Sequence, residues 1–171
     1  MAKKYDVVVI GSGSGMFVVY ESVFRGLSTA LVDKGPLGGT CPNLGCIPSK
    51  MLMFPADRVV EIQEAEKLGI QAKVTGIDFA LIMERMRRSI EEAQKQMKES
   101  FSQLRGLDFY EAEGHFVGDH QMEAAGVRIE GERFFIATGS RPLLPTIPGL
   151  ETVDYLTTET LLALTSCPRS I

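Results

Sequence analysis

Short apolar runs alternate with segments of helical periodicity along the first part of the chain. Residues 5–10 form a nearly continuous apolar run, which is typical of a strand buried on both faces of a parallel sheet. Residues 17–25 are predicted to form a helix that ends at Gly26, and residues 28–32 are predicted to form a second strand. This order predicts a strand–helix–strand unit, the repeating element of parallel α/β sheets.

Two longer helices are predicted in the middle of the chain. The first covers residues 49–68, with a kink at Pro55 and an end at Gly69. The second follows Asp78, which has the position of an N-cap residue. Its apolar residues recur at intervals of three and four, at Phe79, Ile82, Met83, Met86, Ile90, Ala93, Met97 and Leu104. We expect this stripe to pack on its own domain, and a coiled-coil dimer is the alternative.

Short β-like segments follow residue 107. Strands near residues 107–112 and 133–137 are predicted to join the parallel sheet, and residues 114–130 are predicted to form a small antiparallel meander. Three prolines then mark an extended connection, and Thr157 and Thr158 can cap a last short helix at residues 159–164. The fold class predicted from the pattern is α/β, with a parallel sheet, long helices and an antiparallel β-meander.

A glycine-rich turn lies directly between the first predicted strand and its helix. It contains Gly11, Gly13, Ser14 and Gly15, and Asp33 ends the second strand twenty-two residues beyond Gly11. In dinucleotide sites the glycines let the backbone approach the pyrophosphate, the helix N-terminus stabilises its charge, and the acid binds the ribose hydroxyls. Met16 occupies the third glycine position of this motif. We therefore expect a shifted helix or a gap there, with Gly15 relieving part of the strain.

A second motif, Gly-Gly-Thr-Cys-Pro-Asn-Leu-Gly-Cys-Ile-Pro-Ser-Lys, covers residues 38–50. Cys41 and Cys46 are close enough in sequence to close a small disulfide and to reopen it. A thiolate is the nucleophile in thiol–disulfide exchange, so two neighbouring thiols can store two electrons. The alternative is a metal site made by Cys41, Cys46, Cys167 and a histidine, but structural zinc usually has closer cysteine spacing.

Composition and charge narrow the function classes. The chain has 171 residues, of which 44% are hydrophobic and 23% charged, with a net charge of -4. The sequence has no block of basic residues that would indicate nucleic-acid binding. No apolar run approaches the roughly 18 residues of a membrane helix. The N-terminus has no signal-peptide pattern, and the three cysteines then indicate a reducing compartment, so we expect a cytoplasmic protein.

The cysteine segment resembles the redox-active disulfide segment of the class I pyridine nucleotide–disulfide oxidoreductase family nearly letter for letter. Its ending, from Cys46 to Lys50, is most similar to dihydrolipoamide dehydrogenase, with mercuric reductase as the nearest alternative. A third motif, residues 137–142, is similar to the family stretch that passes beside the flavin cofactor. The resemblance implies that residues 1–171 are a Rossmann-like FAD-binding domain that stops before the nicotinamide-binding domain.

The resemblance also implies site residues and partners. Cys41 is expected to exchange with substrate, Cys46 to face the flavin, and Lys50, one helical turn later, to favour the thiolate and the reduced flavin. The expected substrate is a small dithiol or disulfide, the cofactors are FAD and, in a full-length parent, NAD or NADP, and the parent is expected to be a homodimer. The chain alone is expected to be inactive and to bind FAD weakly. A non-catalytic nucleotide-binding module with idle cysteines is the remaining alternative.

The residues expected to contact FAD share a position in loops or at element ends. They are Gly11, Gly13, Ser14, Gly15, Asp33, Lys34, Gly39, Thr40, Gly114, His115, Ala137, Thr138 and Gly139.

Overall fold

The computed structural model describes residues 2–170, and it divides into two compact units. The first unit comprises the chain up to Asn43 together with Glu92–Ser140. The second comprises Leu44–Glu91 and the chain from Arg141 onward. Among the helices of residues 2–170, none is both long enough and apolar enough to cross a membrane.

A six-stranded sheet forms the centre of the first unit. Its strands are β1 (Lys3–Ile10), β2 (Thr29–Val32), β3 (Leu107–Tyr110), β4 (Gly114–Gly118), β5 (Gln121–Ala124) and β6 (Val127–Ile136). They are arranged in the order β3-β2-β1-β6-β5-β4. The pairs along β3, β2, β1 and β6 are parallel, and β4, β5 and β6 form an antiparallel meander. This confirms the predicted α/β class, with the meander continuing the parallel sheet.

Helix α1 (Gly15–Phe24) connects β1 to β2 as predicted, beginning two residues earlier than expected. Val9 and Leu31 lie side by side in the register, and the whole of β2 is buried because helices cover one face and the meander covers the other. Buried apolar strands of this kind produce the continuous apolar runs seen in the sequence.

The end of the meander and the last parallel strand are one element, which corrects the prediction of two separate segments. Strand β6 runs unbroken for ten residues through Gly131, and it pairs with β1 from Lys3 opposite Ile129 to Ile10 opposite Ile136. A Cβ at Gly131 would lie 2.6 Å from a methyl group of Val8. The glycine therefore allows close packing within the strand, and it does not mark a turn.

The remaining helices follow the predicted order. They are α2 (Thr40–Leu44), α3 (Cys46–Glu64), α4 (Phe79–Gln103) and α5 (Thr158–Leu161). Helix α2 was not predicted, and α3 begins three residues earlier than expected, because Pro48 is compatible with the first turn of a helix. Pro55 lies inside α3. A 3₁₀ turn follows α3, and Gly69 ends this turn in the left-handed conformation, with φ 77°.

The helix caps agree with the sequence. The Asp78 carboxylate accepts a hydrogen bond from the backbone N–H of Leu81 at 2.9 Å, which confirms its role at the start of α4. Thr157 caps α5 through a reciprocal pair of hydrogen bonds with Thr160. Both caps bond backbone N–H groups that have no partner within the helix.

Candidate dinucleotide site and cysteine segment

Three loops of the first unit meet at one edge of the sheet. Because β1, β2, β3 and β6 are parallel, their carboxyl ends lie at the same edge. The glycine-rich turn follows β1, Asp33 and Lys34 follow β2, and Ala137 to Gly139 follow β6. Open α/β sheets bind ligands at this edge. The fold therefore brings the first and third sequence motifs together, although they are more than 120 residues apart in the chain.

The backbone at Gly11 is in contact with the loop after β6. Gly11 has φ 98°, and a Cβ built on it would lie 2.3 Å from the backbone oxygen of Ala137. Its N–H donates to Val32 O at 2.9 Å, while the Ala137 N–H donates to Ile10 O at 2.8 Å. The turn thus joins the ends of three strands, and only glycine fits at this position.

The close packing of helix on strand occurs at Gly15. This residue is buried, and a Cβ on it would lie 2.7 Å from a methyl group of Val9 and 3.2 Å from the Ala137 Cβ. Met16, one residue later, is half-buried and packs against the core on the helix-covered face of the sheet. Gly15 therefore has the packing role that the motif usually assigns to its third glycine, and the helix accommodates Met16 beside it.

Asp33 pins the glycine-rich turn to the end of β2. One carboxylate oxygen accepts the N–H of Ser12 at 2.6 Å, and the other accepts the N–H of Gly35 at 2.7 Å. A carboxylate has about four lone-pair directions, so two remain for ribose hydroxyls. The neighbouring side chain, Lys34, is exposed and forms an ion pair with Glu113 at 3.4 Å.

The first half of the cysteine segment packs directly against the glycine-rich turn. The Gly38 N–H donates to the buried hydroxyl of Ser12 at 2.9 Å. A Cβ on Gly39 would lie only 2.7 Å from the Cα of Gly13, so the two backbones are in contact. Thr40 and Cys41 begin α2, and both are exposed. The predicted nucleotide-binding turn and the Cys41 loop therefore share one scaffold.

Two carboxamides that the sequence analysis did not single out hold this loop. Gln94, on α4, hydrogen bonds to both backbone polar groups of Leu37, and Asn43 donates to Leu37 O and Gly39 O. One signal for Gln94 was available. It lies four residues after Ile90 and three before Met97, so it interrupts the apolar stripe of α4 with a polar side chain.

The second half of the cysteine segment belongs to the second unit. Cys46 is the first residue of α3 and is exposed, and Lys50, four residues later, is exposed on the same helix. The Ser49 hydroxyl donates to Cys46 O at 3.1 Å. The spacing of Cys46 and Lys50 on one helix agrees with the sequence, and their roles and the pairing of Cys46 with Cys41 stay predictions.

Gly114 and His115 are the first two residues of β4, at the start of the meander. A Cβ on Gly114 would lie 2.4 Å from the terminal methyl of Met122 and 2.9 Å from a methyl of Val32, so packing beneath the meander requires this glycine. His115 is exposed and lies opposite Glu123 on β5. Within the described residues, no group of three or more His, Cys, Asp or Glu side chains is arranged to hold a metal ion.

Comparison with known proteins gives close agreement over almost the whole chain. The family described as pyridine nucleotide-disulphide oxidoreductase matches residues 5–171. Mercuric reductase from Lysinibacillus sphaericus is 32% identical over 168 residues, which cover 98% of this chain and 31% of that protein. Dihydrolipoyl dehydrogenase from Bacillus subtilis (strain 168) is 32% identical over 188 residues, which cover 100% of this chain and 39% of that protein.

A solved structure gives the same result. The HOCl-induced flavoprotein disulfide reductase RclA from Escherichia coli matches with a TM-score of 0.76 and 26% identity, covering 95% of this chain and 34% of that one. The chain spans about a third of the length of the relatives it matches. The chain therefore belongs to the pyridine nucleotide-disulphide oxidoreductases, a family of FAD-dependent enzymes that use NAD(P)H.

Proposed function

We propose that residues 1–171 bind FAD at the carboxyl edge of the sheet and act in an FAD-dependent disulfide oxidoreductase, with Cys41 and Cys46 as the redox-active pair. The observation that carries this proposal is the contact between Gly13 and Gly39. It joins the glycine-rich turn, which has the features of a dinucleotide site, to the loop that contains Cys41.

The residues at this edge fit a dinucleotide. The glycine-rich turn presents backbone without side chains, and α1 is ten residues long, so its N-terminal N–H groups can stabilise the pyrophosphate. Asp33 has acceptor capacity left for ribose hydroxyls. Thr40 and the residues from Ala137 to Gly139 would line the same edge. When bound, FAD supplies two-electron transfer between a nicotinamide and a disulfide.

The thiols carry the exchange with substrate. A Cys41–Cys46 disulfide that takes up two electrons and two protons opens to two thiols, and the reverse step returns them. Cys41, exposed on α2, would exchange with a small dithiol or disulfide substrate, while Cys46 would face the flavin. The positive charge of Lys50, one turn after Cys46 on α3, would favour the reduced flavin.

The substrate and assembly are part of the proposal. We infer dihydrolipoamide as the first candidate from the residues that end the cysteine segment, with NAD or NADP as the nicotinamide partner. Mercuric ion is the second candidate, because mercuric reductase and dihydrolipoyl dehydrogenase are each 32% identical to this chain. We propose that the full-length parent is a cytoplasmic homodimer that acts on small molecules and not on nucleic acids or membranes.

The test has two measurements on the purified chain. Titration with FAD, followed by the quenching of flavin fluorescence, is expected to show weak, saturable binding that Gly11→Ala abolishes and Gly26→Ala preserves. Thiol counting is expected to give three thiols after reduction and one after mild oxidation, with a Cys41→Ser variant as the control. FAD binding that Gly11→Ala leaves intact would contradict the proposed site. Three thiols in both states would contradict the redox pair.

A further inference from the structure

Gln94 is the only side chain of the described chain that hydrogen bonds to both backbone polar groups of Leu37. Its Oε1 accepts the Leu37 N–H at 2.8 Å, and its Nε2 donates to Leu37 O at 2.7 Å. The same Nε2 donates to Oδ1 of Asn43 at 2.7 Å. One side chain of α4 therefore bonds to both ends of the loop formed by residues 37–43.

Asn43 closes the loop from within. It is 5% exposed, and its Nδ2 donates to Leu37 O at 2.8 Å and to Gly39 O at 2.7 Å. The two carboxamides thus bond to each other and to the backbone of Leu37 and Gly39, on the N-terminal side of Cys41. A buried polar network whose members are all bonded fixes one arrangement of its backbone, because any other arrangement leaves a buried polar group without a partner.

Apolar packing holds the loop in place but does not orient its backbone. Leu37 is 1% exposed in the core, and Gly38 lies under Met97, to which an added Cβ would approach within 3.1 Å. These contacts are nondirectional. The direction of the peptide groups that precede Cys41 is set by hydrogen bonds: Gln94 and Asn43 bond to the backbone of Leu37 and Gly39, and the Ser12 hydroxyl accepts the Gly38 N–H.

We propose that Gln94, acting through Asn43, is a positioning residue that fixes the Cys41 loop in the geometry needed for disulfide closure. This inference rests on the proposed function of Cys41 and Cys46 as a redox pair. A preorganised loop pays less conformational entropy on ring closure, so it favours the disulfide over the dithiol. Loss of the Gln94 bonds should therefore shift the pair towards the dithiol, while Cys167 should not respond.

The test compares Gln94→Leu with Gln96→Leu, a matched control at an exposed position of the same helix. Equilibration with reduced and oxidised glutathione gives the equilibrium constant for formation of the Cys41–Cys46 disulfide, called here the closure constant. We expect this constant to fall about tenfold in Gln94→Leu and to stay within about twofold in Gln96→Leu. Gln94→Glu keeps the acceptor for the Leu37 N–H and loses both donations, so its constant should lie between the two. Far-UV circular dichroism identifies any variant that does not fold.

A second readout is independent of the disulfide. In the reduced protein, the ratio of the alkylation rates of Cys41 and Cys167 by iodoacetamide, measured by peptide mass spectrometry, should rise at least about threefold in Gln94→Leu, because a loosened loop presents the Cys41 thiol from more directions. An unchanged ratio and an unchanged closure constant in a folded Gln94→Leu protein would overturn the inference. Failure of the unsubstituted chain to form the disulfide at any glutathione ratio would instead overturn the proposed function, and the alkylation ratio would still decide on Gln94.

Discussion

Replacing Gly11 by alanine is expected to destabilise the protein strongly. The residue has φ 98°, and a side chain in this region costs about 1–2 kcal/mol. The added methyl would also lie 2.3 Å from the backbone oxygen of Ala137, whereas ordinary van der Waals contact begins at 3.4 Å. The two loops must then separate by about 1 Å, and this weakens the hydrogen bonds Gly11 N–H to Val32 O and Ala137 N–H to Ile10 O, each worth about 1 kcal/mol. The total is about 3–4 kcal/mol, a large fraction of a typical domain's stability.

Gly26 provides the matched control for this substitution. It also has a positive φ, of 75°, but an added Cβ would meet nothing within 4 Å. Gly26→Ala should therefore cost only the backbone term, about 1–2 kcal/mol. Urea denaturation followed by far-UV circular dichroism gives the free energy of unfolding of both variants. A loss in Gly11→Ala that is within about 1 kcal/mol of the loss in Gly26→Ala would refute the steric argument.

Three further predictions concern the same unit. Tyr5→Phe should lower the free energy of unfolding by about 1 kcal/mol near neutral pH, because the Tyr5 hydroxyl donates to Asp108. The Tyr5 and Lys3 contacts lower the pKa of Asp108 below its ordinary 3.8. The part of the difference that comes from Asp108 should therefore be complete above pH 3.8 and be lost as the pH falls through the lowered pKa, while the part that comes from the Tyr5–Tyr110 hydroxyl contact should remain, as measured by urea unfolding at several pH values. Asp33→Asn should lower the free energy of unfolding by about 1.5 kcal/mol and weaken FAD binding, because the NH₂ group of asparagine cannot accept the second backbone N–H. Thermal unfolding measures this, and an unchanged melting temperature would contradict it. Gly15→Ala should lower the free energy of unfolding by about 1 kcal/mol net. Overpacking against Val9 costs about 1–3 kcal/mol, which exceeds the gain in helix propensity of about 1 kcal/mol. A variant that is more stable in urea would show that Val9 moves aside.

The fold could be predicted from the sequence where the pattern reflects burial. Val7 to Val9 and Ala30 to Val32 are buried on both faces of the sheet, and this burial produces apolar runs that no exposed strand would have. The stripe of α4 and the caps at Asp78 and Thr157 follow from the same local rules. The glycine-rich turn was predictable because its glycines are needed for backbone contact, which limits the residues allowed there.

What could not be predicted depends on neighbours distant in sequence. Strand β6 continues through Gly131 because β1 pairs with it along its length, and nothing local to Gly131 distinguishes this from a turn. The bonds of Gln94 to the loop at Leu37 span 57 residues. A glutamine that interrupts an apolar stripe indicates a buried polar partner but does not say which one. The motif predicts close packing of α1 on β1 at residue 16, but the structure has it at Gly15, because the side chain of Val9 lies against Gly15.

The glycine-rich turn has a wider structural role than its motif implies. Within the described residues, it contacts the ends of β1, β2 and β6 and, through Gly13, the loop that carries Cys41. A Cβ added at Gly11, Gly15 or Gly39 would lie 2.7 Å or less from a neighbouring atom, so any side chain there forces a shift. The proposed cofactor site and the Cys41 loop are built on the same few backbone atoms, so we expect them to move together. Substitutions that widen the turn should therefore change FAD binding and the reactivity of Cys41 together, whereas substitution of Gln94 should change the thiol and leave the turn in place.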